Sequence, residues 1–201
     1  MIRVLLADDQ ALVRGALATL LGLESDIEVV AQVGRGDEVV AAALRTRPDV
    51  ALLDVEMPGM DGLAATAALR EAVPETRVAI VTTFGRPGYL RRAMRAGASG
   101  FIVKHAPPED LIDAVRRIHQ GLRVVDPILA ADSLVTGDSP LTSGEADVLR
   151  AALGGGTVFD IARATHLSAG TVRNYLSRAI GKTEARTRAD AARIADERGW
   201  L

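Results

Sequence analysis

Five short apolar runs, each followed by a longer stretch of helical periodicity, fill the first 125 residues and leave few folds open to them. The runs are 2–7, 27–33, 50–53, 78–81 and 100–103. The helical stretches lie at about 10–23, 36–46, 62–71, 87–96 and 108–120; in the first, Leu12, Ala16, Leu17, Leu20 and Leu21 recur at the spacing of one helix face. Strands that alternate with helices build βαβ units, hence a parallel sheet covered on both faces. Five such repeats predict a doubly wound, flavodoxin-like (βα)5 domain.

The polar residues at the ends of these runs then acquire a meaning. Val4-Leu5-Leu6-Ala7 runs into Asp8-Asp9, Val50-Ala51-Leu52-Leu53 into Asp54, Val78-Ala79-Ile80-Val81 into Thr82, and Gly100-Phe101-Ile102-Val103 into Lys104. Open parallel sheets bind ligands beyond the carboxyl ends of their strands. These residues are therefore expected to share one pocket. Taken singly, an Asp after a strand is usually a turn or cap residue, and a Lys there is usually solvated. Their recurrence at successive strand ends argues against that reading. A carboxylate can accept a phosphoryl group only if its repulsion of the incoming oxygens is screened, which calls for a divalent cation. Mg²⁺ suits such a site, because it takes oxygen ligands and keeps part of its shell for water and phosphate. Lys104 can neutralise a phosphoryl oxygen, Thr82 can donate a hydrogen bond to another, and positioning plus charge stabilisation carry most phosphoryl transfers.

After about residue 121 the alternation stops. Gly121, Asp126-Pro127 and Gly137-Asp138-Ser139-Pro140 punctuate a connector in which Ile128, Leu129 and Leu134 hint at a short helix. The expected division is 1–122, a linker over 123–139, and 140–201. The last part reads as helices only, at about 143–153, 158–164, 169–180 and 188–198. Thr142 and Glu145 form a capping box, Gly154-Gly155-Gly156 ends the first helix, and Ser168 caps the third. A short helix, a tight turn at Thr165-His166-Leu167 and a capped second helix make a helix-turn-helix. Ile161, Ala162, Leu167, Val172, Leu176 and Ile180 would form its core, with Arg173, Asn174, Ser177 and Arg178 facing outward. Within 168–188 five bases (Arg173, Arg178, Lys182, Arg186, Arg188) stand against one acid, Glu184, although the whole chain carries a net charge of -2. A basic stripe on a balanced protein is the footprint of a nucleic-acid face; alone it could equally be a solvated helix.

Other features carry less. No apolar run approaches the roughly 18 residues of a membrane span, the first residues lack the layout of a signal peptide, and the chain has no cysteine. These point to a cytoplasmic protein with no membrane partner. His105, His119 and His166 are not spaced as metal ligands, and Gly34-Arg35-Gly36 reads as a turn rather than a dinucleotide loop.

Residues 1–120 resemble the receiver domain of two-component response regulators. The likeness rests on Val4-Leu5-Leu6-Ala7-Asp8-Asp9, on Leu53-Asp54-Val55-Glu56-Met57-Pro58-Gly59-Met60-Asp61-Gly62, on Val81-Thr82-Thr83, and on Ala96-Gly97-Ala98-Ser99-Gly100-Phe101-Ile102-Val103-Lys104. The resemblance implies that Asp54 is phosphorylated by a sensor histidine kinase. It further implies that Asp9 and Asp54 bind Mg²⁺ directly, that Asp8 helps through water, and that the backbone carbonyl of Glu56 is a further ligand. Thr82 and Phe101 would be a switch pair. Phe101 stands where many relatives have tyrosine, and His105-Ala106 separates Lys104 from Pro107-Pro108.

Residues 141–188 resemble the LuxR-type helix-turn-helix of the NarL/FixJ class. The match is carried by Leu141-Thr142, Glu145, Val148-Leu149, Ile161-Ala162, Leu167-Ser168, Gly170-Thr171-Val172-Arg173-Asn174 and Lys182, while Tyr175 replaces a common histidine. It implies base readout by Arg173, Asn174 and Ser177. Phosphate contacts would come from Ser168, Thr171, Arg178, Lys182, Arg186 and Arg188. The closing segment 189–201 is similar to that of the desaturase, or membrane-fluidity, branch (DesR-like). The function expected is a transcription factor, not an enzyme beyond its own phosphorylation and dephosphorylation. Phosphorylation would make it a homodimer through the first or last receiver helix, on double-stranded DNA, with RNA polymerase as a candidate further partner. The alternatives are a constitutive DNA-binding regulator with a phosphorylation-independent receiver and an Mg²⁺-dependent phosphatase. The absence of an Asp-x-Asp motif and of a substrate-binding insertion disfavours the phosphatase.

Overall fold

In the computed structural model, which describes residues 1–83, 87–127, 129–131 and 139–201, the chain forms two compact units, one α/β and one helical. Up to residue 125 the chain runs β1 (Ile2–Ala7), α1 (Ala11–Gly22), β2 (Ile27–Val33), α2 (Val39–Thr46), β3 (Val50–Leu53), α3 (Gly62–Ala72), β4 (Arg77–Thr82), α4 (Pro87–Arg95), β5 (Gly100–Val103), α5 (Pro108–His119) and β6 (Val124–Val125). A single 3₁₀ turn, Gly36–Glu38, leads into α2. All strand pairs are parallel, in the order β2-β1-β3-β4-β5-β6. The order reverses between β1 and β3, and Asp8 and Asp54 follow those two strands.

The short strands are apolar throughout because both sheet faces are covered. Every residue of β3 and β5 is buried. Val4, Leu6, Val50, Leu52, Ala79, Val81 and Ile102 turn one way, into a core with Leu21 of α1 and Leu111, Ile112, Val115 and Ile118 of α5. The strand residues between them point to the other face. A six-residue strand thus fixes a helix on each side and leaves its last polar residue at the sheet edge.

The sheet extends past the boundary expected at residue 122. Gly121, at φ +91°, turns the chain out of α5. The Val124 N–H then donates to the Ser99 carbonyl at 3.0 Å, and Val124 and Val125 pair with Gly100 and Phe101. Asp126 next accepts from the Leu129 N–H through its carboxylate (3.1 Å) and from the Ala130 N–H through its carbonyl (2.9 Å). The first part of the expected linker is therefore part of the α/β unit. Two residues carry no periodicity, so β6 comes from its partner strand rather than from its own pattern. Ile128 and Leu134, invoked for a linker helix, lie outside the described residues.

The helical unit consists of α6 (Ser143–Leu153), α7 (Val158–Thr165), α8 (Ala169–Thr183) and α9 (Arg188–Glu197). Their core joins Val148, Leu149, Ile161, Val172, Leu176, Ala179, Ala191, Ala192, Ala195 and Trp200, with Ala162, Leu167 and Ile180 packed against it. Helix starts are set by side-chain caps. Thr142 and Glu145 close the expected capping box, and Thr157 with Asp160 makes a second. His166 ends α7 in the left-handed region, at φ 55°, and the Leu167 N–H returns to the Ala162 carbonyl at 3.0 Å. Helix α8 runs three residues beyond the expected 180. Gly181 does not stop it, because Thr183 is buried with its hydroxyl on the Ala179 carbonyl (2.8 Å). Glu184, left-handed at φ 55°, ends the helix.

Candidate functional site

The carboxyl edge of the sheet gathers the strand-end residues. The Asp54 N–H donates to the Ala7 carbonyl at 2.8 Å, and the Lys104 N–H to the Thr82 carbonyl at 2.7 Å. Lys104 Nζ lies 2.7 Å from Asp54 Oδ2 and 2.8 Å from Asp8 Oδ2, with all three side chains less than 10% exposed. The other Asp54 oxygen accepts from the Val55 N–H (2.7 Å), and the other Asp8 oxygen from the Gln10 N–H (2.9 Å). Asp9 is exposed. One carboxylate oxygen of each of Asp8, Asp9 and Asp54 lies within 4.8 Å of the others. Three carboxylates share one bonded ammonium, an excess of negative charge. An all-oxygen donor set of that charge fits a hard divalent cation such as Mg²⁺.

Burial pushes the Asp54 carboxyl above the usual aspartate range, and the Asp8 charge adds to it. The bond to Lys104 and the Val55 N–H oppose that shift without overcoming it. Burial alone would lower Lys104, but its bonds to Asp54 and Asp8 hold the ammonium above its ordinary value. The site therefore favours positive charge next to Asp54.

Local backbone makes room for this. The loop after Asp54 returns at once to α3, with the Gly62 N–H on the Val55 carbonyl (2.9 Å) and Asp61 capping the helix at the Ala64 N–H (2.7 Å). A Cβ on Gly62 would stand 1.9 Å from the Asp54 carbonyl oxygen, so only glycine allows the approach. Glu56 is exposed in that loop. Thr82 and Phe101 are both buried, and pairing sets Phe101 opposite Ile80, so the ring lies diagonally from Thr82 on one sheet face. Arg14, which the sequence did not single out, donates from α1 to the Asp8 carbonyl.

In the helical unit Ser168 caps α8 by accepting from the Thr171 N–H (3.1 Å), and its hydroxyl lies 2.9 Å from that of Thr171. Arg173, Asn174, Ser177 and Arg178 are exposed on α8, and Arg186 is exposed beyond it. Two of the expected phosphate contacts are engaged internally. Lys182 Nζ is 2.6 Å from Glu145 Oε2, and Arg188 donates to the Gly156 carbonyl at 2.6 Å. Tyr175 is half-buried against Gly144, where a Cβ would meet its ring at 2.9 Å.

Comparison with known proteins agrees with this architecture. The response regulator receiver domain family matches residues 4–116, and the luxR family of bacterial regulatory proteins matches 139–195. The chain is 43% identical to the uncharacterized transcriptional regulatory protein YvfU of Bacillus subtilis strain 168, over 100% of both chains. It is 39% identical to the transcriptional regulatory protein DesR of the same organism, again over 100% of both. The solved response regulator ChrA, of a heme-sensing two-component system, superimposes with a TM-score of 0.59 at 30% identity, covering 100% of this chain and 98% of that one. The chain belongs to the bacterial response regulators, with a receiver domain followed by a LuxR-type DNA-binding domain. Its full-length relatives place it with the NarL- and DesR-like transcriptional regulators. No helix among the described residues is long and apolar enough to cross a membrane.

Proposed function

We propose that Asp54 takes a phosphoryl group from the phosphohistidine of a sensor kinase and that this event controls how two copies of the chain engage DNA. The observation that carries the reading is the joint bond of Lys104 to Asp54 and Asp8 beside a third carboxylate. In the transfer, an Asp54 carboxylate oxygen forms the new P–O bond as the P–N bond breaks, and the imidazole leaves with the bonding pair. Mg²⁺ bound by Asp9 and Asp54, with Asp8 and the Glu56 carbonyl in support, would offset the charge of the acceptor and the phosphoryl oxygens. Lys104 then exchanges one carboxylate partner for a phosphoryl oxygen, and Thr82 donates its hydroxyl to another. Withdrawal of Thr82 toward the phosphoryl group leaves Phe101 a different packing on the same sheet face. Apart from its own phosphorylation and dephosphorylation the chain catalyses no reaction.

On this reading the phosphorylated receiver pairs with a second copy through α1 or α5, and each copy presents α8 to one half-site. Arg173, Asn174 and Ser177 read base edges, while exposed hydroxyls and bases around them contact phosphates. The test is incorporation of phosphate from acetyl phosphate in the wild type and in Asp54→Asn. Label should enter the wild type only in the presence of Mg²⁺ and should be absent from the variant. Undiminished label in the variant would place the acceptor elsewhere.

A further inference from the structure

The basic stripe of 168–188 is not spent on one task. Arg173, Arg178 and Arg186 are exposed, and among the described residues none of their guanidinium groups makes a hydrogen bond or close ion pair, although Asp190 accepts from the Arg186 N–H and feels its charge. Lys182 is different. Its ammonium sits 2.6 Å from a glutamate that is 2% exposed, and that glutamate also accepts from the Thr142 N–H at 2.8 Å. One carboxylate thus caps α6 and holds the far end of α8. Seven residues earlier, two helical turns back along the same edge of α8, the Tyr175 ring lies against Gly144. Consecutive residues of the first turn of α6, Gly144 and Glu145, therefore meet α8 at two points.

Resting on the DNA-binding role proposed above, we infer that Lys182 is a positioning residue that braces the recognition helix through Glu145, and that the phosphate-facing cations of the stripe are Arg178 and Arg186, with Arg173 left to the bases. Swinging Lys182 onto a phosphate would leave a buried carboxylate with only the neutral donors of Thr142. Lys182 is itself 35% exposed, but Glu145 is buried, and leaving a buried carboxylate without its cation is costly. Burial alone would raise Glu145, yet Lys182 and Thr142 hold its carboxyl below the usual range, so it stays ionised at neutral pH. Arg188 is likewise committed, to the Gly156 carbonyl at the turn before α7. The bases that could be counted as five in the sequence act as three at the nucleic acid. The edge of α8 that carries Tyr175 and Lys182 sets the angle at which Arg173, Asn174 and Ser177 are presented. The pairing of Tyr175 with Gly144 is tight: a Cβ at 144 would meet the ring at 2.9 Å, so the ring would have to shift.

Salt dependence separates a phosphate contact from a brace. Each phosphate charge neutralised contributes about 0.9 to the slope of log affinity against log salt, so full-length protein would be titrated with a fluorescent duplex of about 30 base pairs between about 50 and about 200 mM KCl. Arg178→Ala and Arg186→Ala should each flatten the slope by about 0.9 per protomer. Lys182→Met should leave the slope in place, weaken binding equally at every salt, and lower the melting midpoint. Glu145→Gln, which removes no positive charge, should weaken binding and stability in the same way, and the double variant should be little worse than either single one. Lys182→Arg should restore part of both. A slope flattened by Lys182→Met, with melting unchanged, would overturn the inference; so would additive melting losses for Glu145→Gln and Lys182→Met. If the wild type shows no salt-dependent binding, the DNA-binding reading itself falls, and the melting cycle still decides whether the brace exists. Should Lys182→Met fail to fold, the melting of Glu145→Gln carries the decision: a midpoint unchanged from the wild type refutes the brace.

Discussion

Replacing Lys104 with methionine removes the one ammonium between two buried carboxylates while keeping most of the aliphatic stem. The wild-type bonds are 2.7 Å to Asp54 and 2.8 Å to Asp8, with the three side chains nearly out of solvent. Taking one partner out of a buried ion pair costs about 3–5 kcal/mol, because the charge left behind is uncompensated. For a domain of this size that corresponds to a fall of roughly 10–20 °C in the midpoint of receiver melting. The loss should depend on pH, and its sign follows from Asp54. Burial already raises that carboxyl above its ordinary value of 3.8 in the folded state. A group raised on folding stabilises fully below its unfolded pKa, and the contribution is lost as pH rises through the folded pKa. Without Lys104, burial and Asp8 act unopposed, the folded pKa rises further, and more stability is lost on the way to neutrality. The difference between wild type and variant should therefore be small near the bottom of that window and largest at neutral pH. Added Mg²⁺ should narrow it, since a cation bound only by the folded protein stabilises by mass action. Melting followed by circular dichroism across pH, with and without Mg²⁺, measures all three effects. A difference that is the same at both ends of the pH range would show that charge burial is not what Lys104 relieves.

Gly62→Ala should displace the Asp54 backbone, because the added carbon would meet the Asp54 carbonyl at 1.9 Å; phosphate incorporation should fall by an order of magnitude or more while the receiver still melts cooperatively. The helical unit should respond to acid in the sense opposite to Asp54. Glu145 has a depressed pKa, so its stabilisation is present above its ordinary value of 4.5 and is lost as pH falls through the lower folded value. Near-ultraviolet dichroism of Trp200, the single tryptophan, should report that loss, and Lys182→Met should abolish much of its pH dependence.

How much of this could be read in advance depends on where each signal resides. Strand ends were legible because a parallel sheet buried on both faces writes itself as continuous apolar runs, and whatever polar residue stops a run sits at the ligand-binding edge. Helix starts were legible where the cap is local, as at Thr142 and Glu145. What was not legible is long-range. Strand β6 depends on a partner more than twenty residues away, and the role of Lys182 depends on Glu145, 37 residues earlier. In the sequence Glu145 is already accounted for by its cap, so Lys182 is left to be counted with the other bases. Lys104 and Lys182 show why residue type alone could not separate a site from a brace. Each is a lysine at the end of an element, bonded to a buried carboxylate. At Glu145 the pair balances, one charge against one, and nothing further is called for. At Asp54 three carboxylates face one ammonium, and that excess of negative charge is what suits the cluster to a cation and to the phosphoryl transfer proposed for it.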